Sequence, residues 1–250
     1  MFRSTAAIGL FSLALTGALV SRAQSPEIMI ASTVSQTLPP KKPTTLHPLQ
    51  TPVTLYLPAS NSPNPNPNPL PVPFLSQAPF GDWREPYQNT CEEMSLLLVH
   101  HFLEKSSITP QQGNNELLAL LKWEKTHTFG TSITLLQLVT IAQDVFGYHP
   151  IITDDVTIEQ IEKLINAGHP VIAPTAGRML LNPYFEEGGP WYHMLVIIGY
   201  DDTHFITQDV GTSMGEQYRY EKHLLLNAIH DWTGKKTGIS KGTRRIMILS

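Results

Sequence analysis

A chain of 250 residues with one cysteine, Cys91, cannot staple its own fold with a disulfide, because that bond needs two. It also lacks a strong charge bias: 17 basic residues against 21 acidic ones give a formal net of −4. Apart from Lys41-Lys42, the clustered cations are Lys235-Lys236 and Lys241 to Arg245, which read as a solvated loop before a last strand. No nucleic-acid partner is expected from such a sequence. No His-Glu-x-x-His occurs, which removes the zinc hydrolases of that type. His100 and His101 are adjacent and point about 100° apart on a helix, while Asp154-Asp155 and Asp201-Asp202 read as turn residues, so no metal and no cofactor is expected.

Long apolar runs are scarce as well. Ala6 to Val20 is uncharged and follows Arg3, yet it falls short of the about 20 apolar residues that span a bilayer. With Ser21-Arg22-Ala23 behind it, the run reads as a secretory signal cleaved after Ala23. Residues 1–23 are the expected signal peptide, the mature protein is expected without stable membrane insertion, and its expected location is secreted or in the periplasm or cell envelope. Proline is abundant in one place only, with 14 of the 21 between Pro26 and Pro79. The Asn-Pro alternation from Asn61 to Pro69 denies the backbone its donors, so residues 24–70 read as an extended, disordered tether. Thr51 to Leu57 could pair within it as a single strand. Residues 71–250 remain, the size of one ordinary domain.

Within that domain the apolar period changes once. Met94, Leu97, Leu98, His101 and Phe102 recur at helical spacing from Thr90 to about Glu104, with Asn89 or Thr90 placed to cap the first turn. Further helices are predicted from Thr109-Pro110, from Ser132 to Phe146 with Leu135, Leu138, Val139, Ala142 and Val145 buried, and after Thr157 with a stop at Gly168. After Pro170 the segments Val171 to Ala173, Tyr192 to Tyr200, Phe205 to Val210, Tyr218 to Tyr220 and Arg245 to Leu249 are short and rich in β-branched or aromatic residues, as strands are. Helices followed by strands argue for an α+β domain.

A lone thiol outside the cytosol risks oxidation and cross-linking, and catalysis is the usual reason to keep one. The bland reading of Cys91 is a small buried residue. A thiol nucleophile needs a base, a group to orient the base, and donors for the oxyanion. His193 is the candidate base, a polar residue entering the otherwise apolar strand Tyr192 to Tyr200, where burial without a partner would cost free energy. By alternation it shares a face with Leu195 and Ile197. A hairpin centred near Asp202 pairs residues whose numbers sum to about 404, which brings His193 opposite position 211 and close to Asp209. A carboxylate there would orient the imidazole, although Asp209 also suits a turn before Gly211.

These residues resemble a known family. Val72-Pro73-Phe74-Leu75-Ser76-Gln77, Cys91-Glu92-Glu93-Met94-Ser95, Gly168-His169-Pro170-Val171-Ile172, Tyr192 to Asp201 and Phe205 to Asp209 look like papain-like cysteine peptidase family thirty-nine, the bacteriocin-processing peptidases and their stand-alone relatives. The likeness spans about Val72 to Ile248, with aspartate 16 residues after the histidine (209 − 193). It implies a papain-like fold, N-terminal helices followed by an antiparallel sheet, and cleavage of a peptide or protein substrate through a thioester. It further implies Cys91 as nucleophile, His193 as general base and then acid, Asp209 as orienting group, and Gln77 as an oxyanion donor beside the Cys91 N–H. Gln88, nearer the cysteine, is the competing glutamine. An acyltransferase or transglutaminase-like enzyme, or a catalytically silent peptide- or glycan-binding module, would fit the same residues.

Two features depart from the family. Glycine often follows the family's cysteine, whereas Glu92 and Glu93 follow it here; they suit a helix N-terminus but oppose a neighbouring thiolate. The bacteriocin-processing members are joined to transporters, whereas this chain carries its own apparent export signal, so cutting after a leader's double glycine is not the expected task.

Overall fold

A computed structural model of the protein describes residues 69–250. The expected signal peptide, the tether as far as residue 68 and the strand expected at Thr51 to Leu57 lie outside the described residues. The α+β class is borne out, with helices ahead of an antiparallel sheet. The four expected helices form as α1 (Cys91–Leu103), α2 (Pro110–Thr126), α3 (Leu135–Asp144) and α4 (Ile158–Asn166). A strand that sequence periodicity did not indicate, β1 (Ile151–Thr153), precedes α4. The five expected strands follow as β2 (Val171–Thr175), β3 (His193–Tyr200), β4 (His204–Gln208), β5 (Tyr218–Glu221) and β6 (Ile246–Ile248), with a short helix α5 (Lys222–Ala228) directly after β5. Among the described residues these strands make one sheet in the order β1-β6-β2-β3-β4-β5. No helix among them is long and apolar enough to cross a membrane.

Helix α1 explains the layout. Its first nine residues, Cys91 to Val99, are all buried, and a helix covered all round must be enclosed by other elements. It packs on β3 and β2 on one side and on α2 and α3 on the other. Leu96, Leu97 and Leu98 have no exposed surface, so truncating any of them to alanine would cost about 2–5 kcal/mol. Strand alternation divides the rest of the core. Met194, Val196 and Ile198 join α1 in one cluster with Cys91. Leu195 and Ile197 join Ile161 and Ile165 of α4 and Leu225 of α5 in the other.

Three local expectations need correction. Thr90 occupies the N-cap position of α1, but its side chain does not cap. Its Oγ1 instead donates backward to the carbonyls of Tyr87 (3.0 Å) and Gln77 (3.4 Å). Helix α3 begins at Leu135, not Ser132, because Thr134 forms a capping box with Gln137. Val145, expected in the core, lies just past the end of that helix and is 40% exposed. Conversely, Thr109 caps α2 with Pro110 following, as predicted, while of the capping box expected at the start of α4 only the Thr157 half forms, accepting from the Gln160 N–H. The β3–β4 hairpin also keeps its predicted register, with Ile197 opposite Thr207 and Val196 opposite Gln208 before a bulge shifts the pairing to Gly199 with Ile206.

Candidate active site

The hairpin register brings the imidazole and the carboxylate together. His193 is the first residue of β3 and Asp209 directly follows β4; both are buried, and His193 Nε2 lies 2.7 Å from Asp209 Oδ1. Asp209 Oδ1 also accepts from the Gly211 N–H at 3.0 Å. Its Oδ2 accepts from Asn182 Nδ2 at 3.1 Å and from Tyr220 Oη at 2.5 Å. Burial works to raise the Asp209 carboxyl, yet His193, Tyr220 and the Gly211 amide together hold it below its ordinary value. The group therefore stays anionic and acceptor-only. Sequence does not identify Asn182 and Tyr220 as its partners; the spacing of two puts Tyr218 and Tyr220 on one face of β5, but only tertiary structure selects the acid that Tyr220 meets.

Space at this pair is tight. A Cβ placed on Gly211 would lie 2.6 Å from His193 Cε1 and 3.1 Å from Nε2. The Phe185 ring meets the imidazole edge-on with centroids 5.3 Å apart. Gly211→Ala is therefore expected to push the imidazole out of line and lower any activity that depends on it by about 100-fold, while the melting temperature shifts by only a few degrees. Kinetics and thermal melts on the same variant check this, and unchanged activity would show that the ring position is immaterial.

Cys91 opens α1 in the same cleft, a space of about 670 Å³ lined also by Gln77, Trp83, Arg178, Trp191, His193 and Trp232. The cleft wraps the entry to β3. The loop before His193 contributes to it, with Arg178 laid over the Trp191 ring at 4.0 Å and its Nε donating to the Gly189 carbonyl at 3.1 Å. Gln77 is 4% exposed and tied to both halves of the site. Its backbone N–H donates to Val210 O at 2.9 Å, and its Nε2 donates to Tyr87 O at 2.8 Å. One amide hydrogen on Nε2 thus remains. Gln88 also lines the cleft, but it is exposed and its amide donates to Glu85.

The thiol does not bond to the imidazole. Cys91 Sγ donates to Glu92 Oε2 at 3.0 Å and receives the backbone N–H of Met194, one residue beyond His193. Glu92 Oε1 accepts from the Ile133 N–H at 3.0 Å, which anchors the carboxylate across the interior. Nδ1 of His193 has no hydrogen-bond partner among the described residues. Burial first, then the charge of Glu92 and its hydrogen bond, raise the Cys91 thiol well above its ordinary value. Burial also lifts Glu92 to about 7. Glu93 is also lifted well above its ordinary value, by burial and then by the charges of Glu92 and Glu124, and shares a hydrogen bond with Glu124 of α2. The acidic pair after the cysteine is therefore not a solvated helix end; all three carboxyls are enclosed.

Residues 69–236 match the model of the Peptidase_C39 like family. No curated protein matches the sequence. A solved chain from Bacillus anthracis, described as C39-like, is 15% identical over 72% of this chain and 95% of that chain, with a TM-score of 0.47.

Proposed function

This chain belongs to the Peptidase_C39 like family, and from that premise we propose that it is a cysteine peptidase that cleaves peptide bonds through Cys91, His193 and Asp209, outside the cytosol. The observation that carries the reading is the buried 2.7 Å contact of His193 Nε2 with Asp209, in the cleft that also holds the thiol. With Nε2 committed to Asp209, Nδ1 is the nitrogen left to take the thiol proton. The sulfur then attacks the scissile carbonyl carbon, and the carbonyl oxygen becomes an oxyanion. Two donors suit it: the backbone N–H of Cys91, free because helix first-turn amides have no intrahelical partner, and the second hydrogen on Gln77 Nε2. Gln77 is favoured over Gln88 because it is buried and fixed by two hydrogen bonds. The imidazolium protonates the leaving amine, and water then releases the acyl group from the thioester.

The test uses the single cysteine. Incubation with a mixed peptide pool, acid quenching within one turnover and intact-mass measurement are expected to show an acyl adduct on Cys91 together with new peptide ends. Transfer of that acyl group to an added primary amine in preference to water would assign the site to acyl transfer instead. Peptide binding with neither adduct nor cleavage would leave a binding module.

A further inference from the structure

The sulfur is held at rest by Glu92 and Met194, and not by the imidazole. Sγ accepts from Met194 N–H and points its only proton at Glu92 Oε2, while Ile133 N–H holds the other carboxylate oxygen. Cys91 and Glu92 are 5% and 1% exposed, so water does not compete for that contact. His193 meanwhile holds Asp209 and keeps Nδ1 unbonded among the described residues. We infer that Glu92 is a positioning residue that acts as a proton latch on Cys91, keeping the thiol protonated and aimed away from His193 until Glu92 itself takes up a proton.

The proton count closes. In the latched state the site holds S–H, a Glu92 carboxylate and a neutral imidazole. Uptake of one proton from solvent forms the Glu92 O–H bond, the S–H bond breaks, and its proton forms the N–H bond at His193 Nδ1. The thiolate then accepts from Glu92 O–H and Met194 N–H, and its electron pair is free to attack. Glu92 is well placed to change state near neutrality, since burial puts it at about 7. The ionisable groups around it are Cys91 and Glu93 on its own helix, Glu124 from α2, and Tyr192 and His193 at the entry to β3, with Asp231 behind Tyr192. The charge of Glu124 raises the proton affinity of Glu92 further and so favours release of the latch as the pH falls.

This inference rests on Cys91 as nucleophile and His193 as its base, yet it is read without substrate. The experiment is the rate at which iodoacetamide alkylates Cys91 between pH 5 and pH 9. An ordinary thiol reacts faster as the pH rises through this range. The wild-type protein is expected to do the reverse across pH 6–8, slowing as Glu92 ionises. Glu92→Gln, an amide that mimics the protonated carboxyl, is expected to remove that decline and to react at least about 10-fold faster than wild type at pH 8. A wild-type rate that climbs monotonically from pH 5 to pH 9 overturns the latch even if the variant does not fold. A Glu92→Gln protein that reacts more slowly at every pH overturns it too, because Glu92 would then be a base. Loss of peptide hydrolysis with the inverted profile intact would count against the peptidase reading alone.

Discussion

Cys91→Ala is expected to abolish peptide hydrolysis, with a fall on the order of 10⁵-fold or more, and to leave the fold standing. The size follows from the chemistry. Removing a nucleophile removes the covalent route altogether, and only the residual effect of oxyanion donors and binding remains. The modest structural cost follows from the surroundings. The side chain is small and its sulfur makes two hydrogen bonds, to Glu92 and from Met194, each worth about 1 kcal/mol. Part of that cost is offset because Glu92 loses a reason to stay ionised in the interior. Peptide cleavage followed by mass spectrometry, beside a thermal melt, measures both effects. Hydrolysis at even one-hundredth of the wild-type rate in Cys91→Ala would rule out thiol catalysis, and no other cysteine in the chain could substitute.

The parts of the site that were legible in sequence share one property: they depend on short-range patterns. The strand alternation around Tyr192 to Tyr200 and the turn at Asp201-Asp202 fix the hairpin register, and that register alone places position 211 and Asp209 beside His193. Helix starts at Thr109 and Thr157 were readable because capping is local. Other features depend on what lies across the core. Ile133 reaches Glu92 over 41 residues of chain and Asn182 reaches Asp209 over 27, and no periodicity encodes such pairs. The opposition of Glu92 and Glu93 to a neighbouring thiolate was legible and holds, since both raise the Cys91 thiol. Their burial was not legible, because the elements that cover them lie across the core. Helix α5 went unseen because its start comes directly off β5, with Glu221 capping through the N–H groups of His223 and Leu224.

Asp209→Asn is expected to lower hydrolysis by about 10³–10⁴-fold, the scale known for losing the carboxylate behind a catalytic imidazole. All four of its partners are hydrogen-bond donors here: His193 Nε2, Gly211 N–H, Asn182 Nδ2 and Tyr220 Oη. Asparagine brings one oxygen and one NH₂ to a site built for two acceptors. If the oxygen stays with His193, the NH₂ is forced against the donor of Asn182, and only the Tyr220 hydroxyl can rotate to accept. If the amide turns round, its NH₂ faces His193 and drives the imidazole to the wrong tautomer. Either arrangement removes the charge that stabilises the imidazolium. The lost hydrogen bonding should also cost about 1–3 kcal/mol of stability. That part has its own pH signature. The folded-state value of Asp209 lies below its ordinary 3.8, so its contribution is present above the unfolded value and lost as the pH falls through the lowered folded value. The stability gap between wild type and Asp209→Asn should therefore be full at pH 7 and close in strong acid, as measured by urea unfolding. Tyr220→Phe supplies the contrast, because it removes one donor and leaves the charge; a loss of no more than about 10-fold is expected. Activity of Asp209→Asn within that same factor of wild type would remove Asp209 from the mechanism.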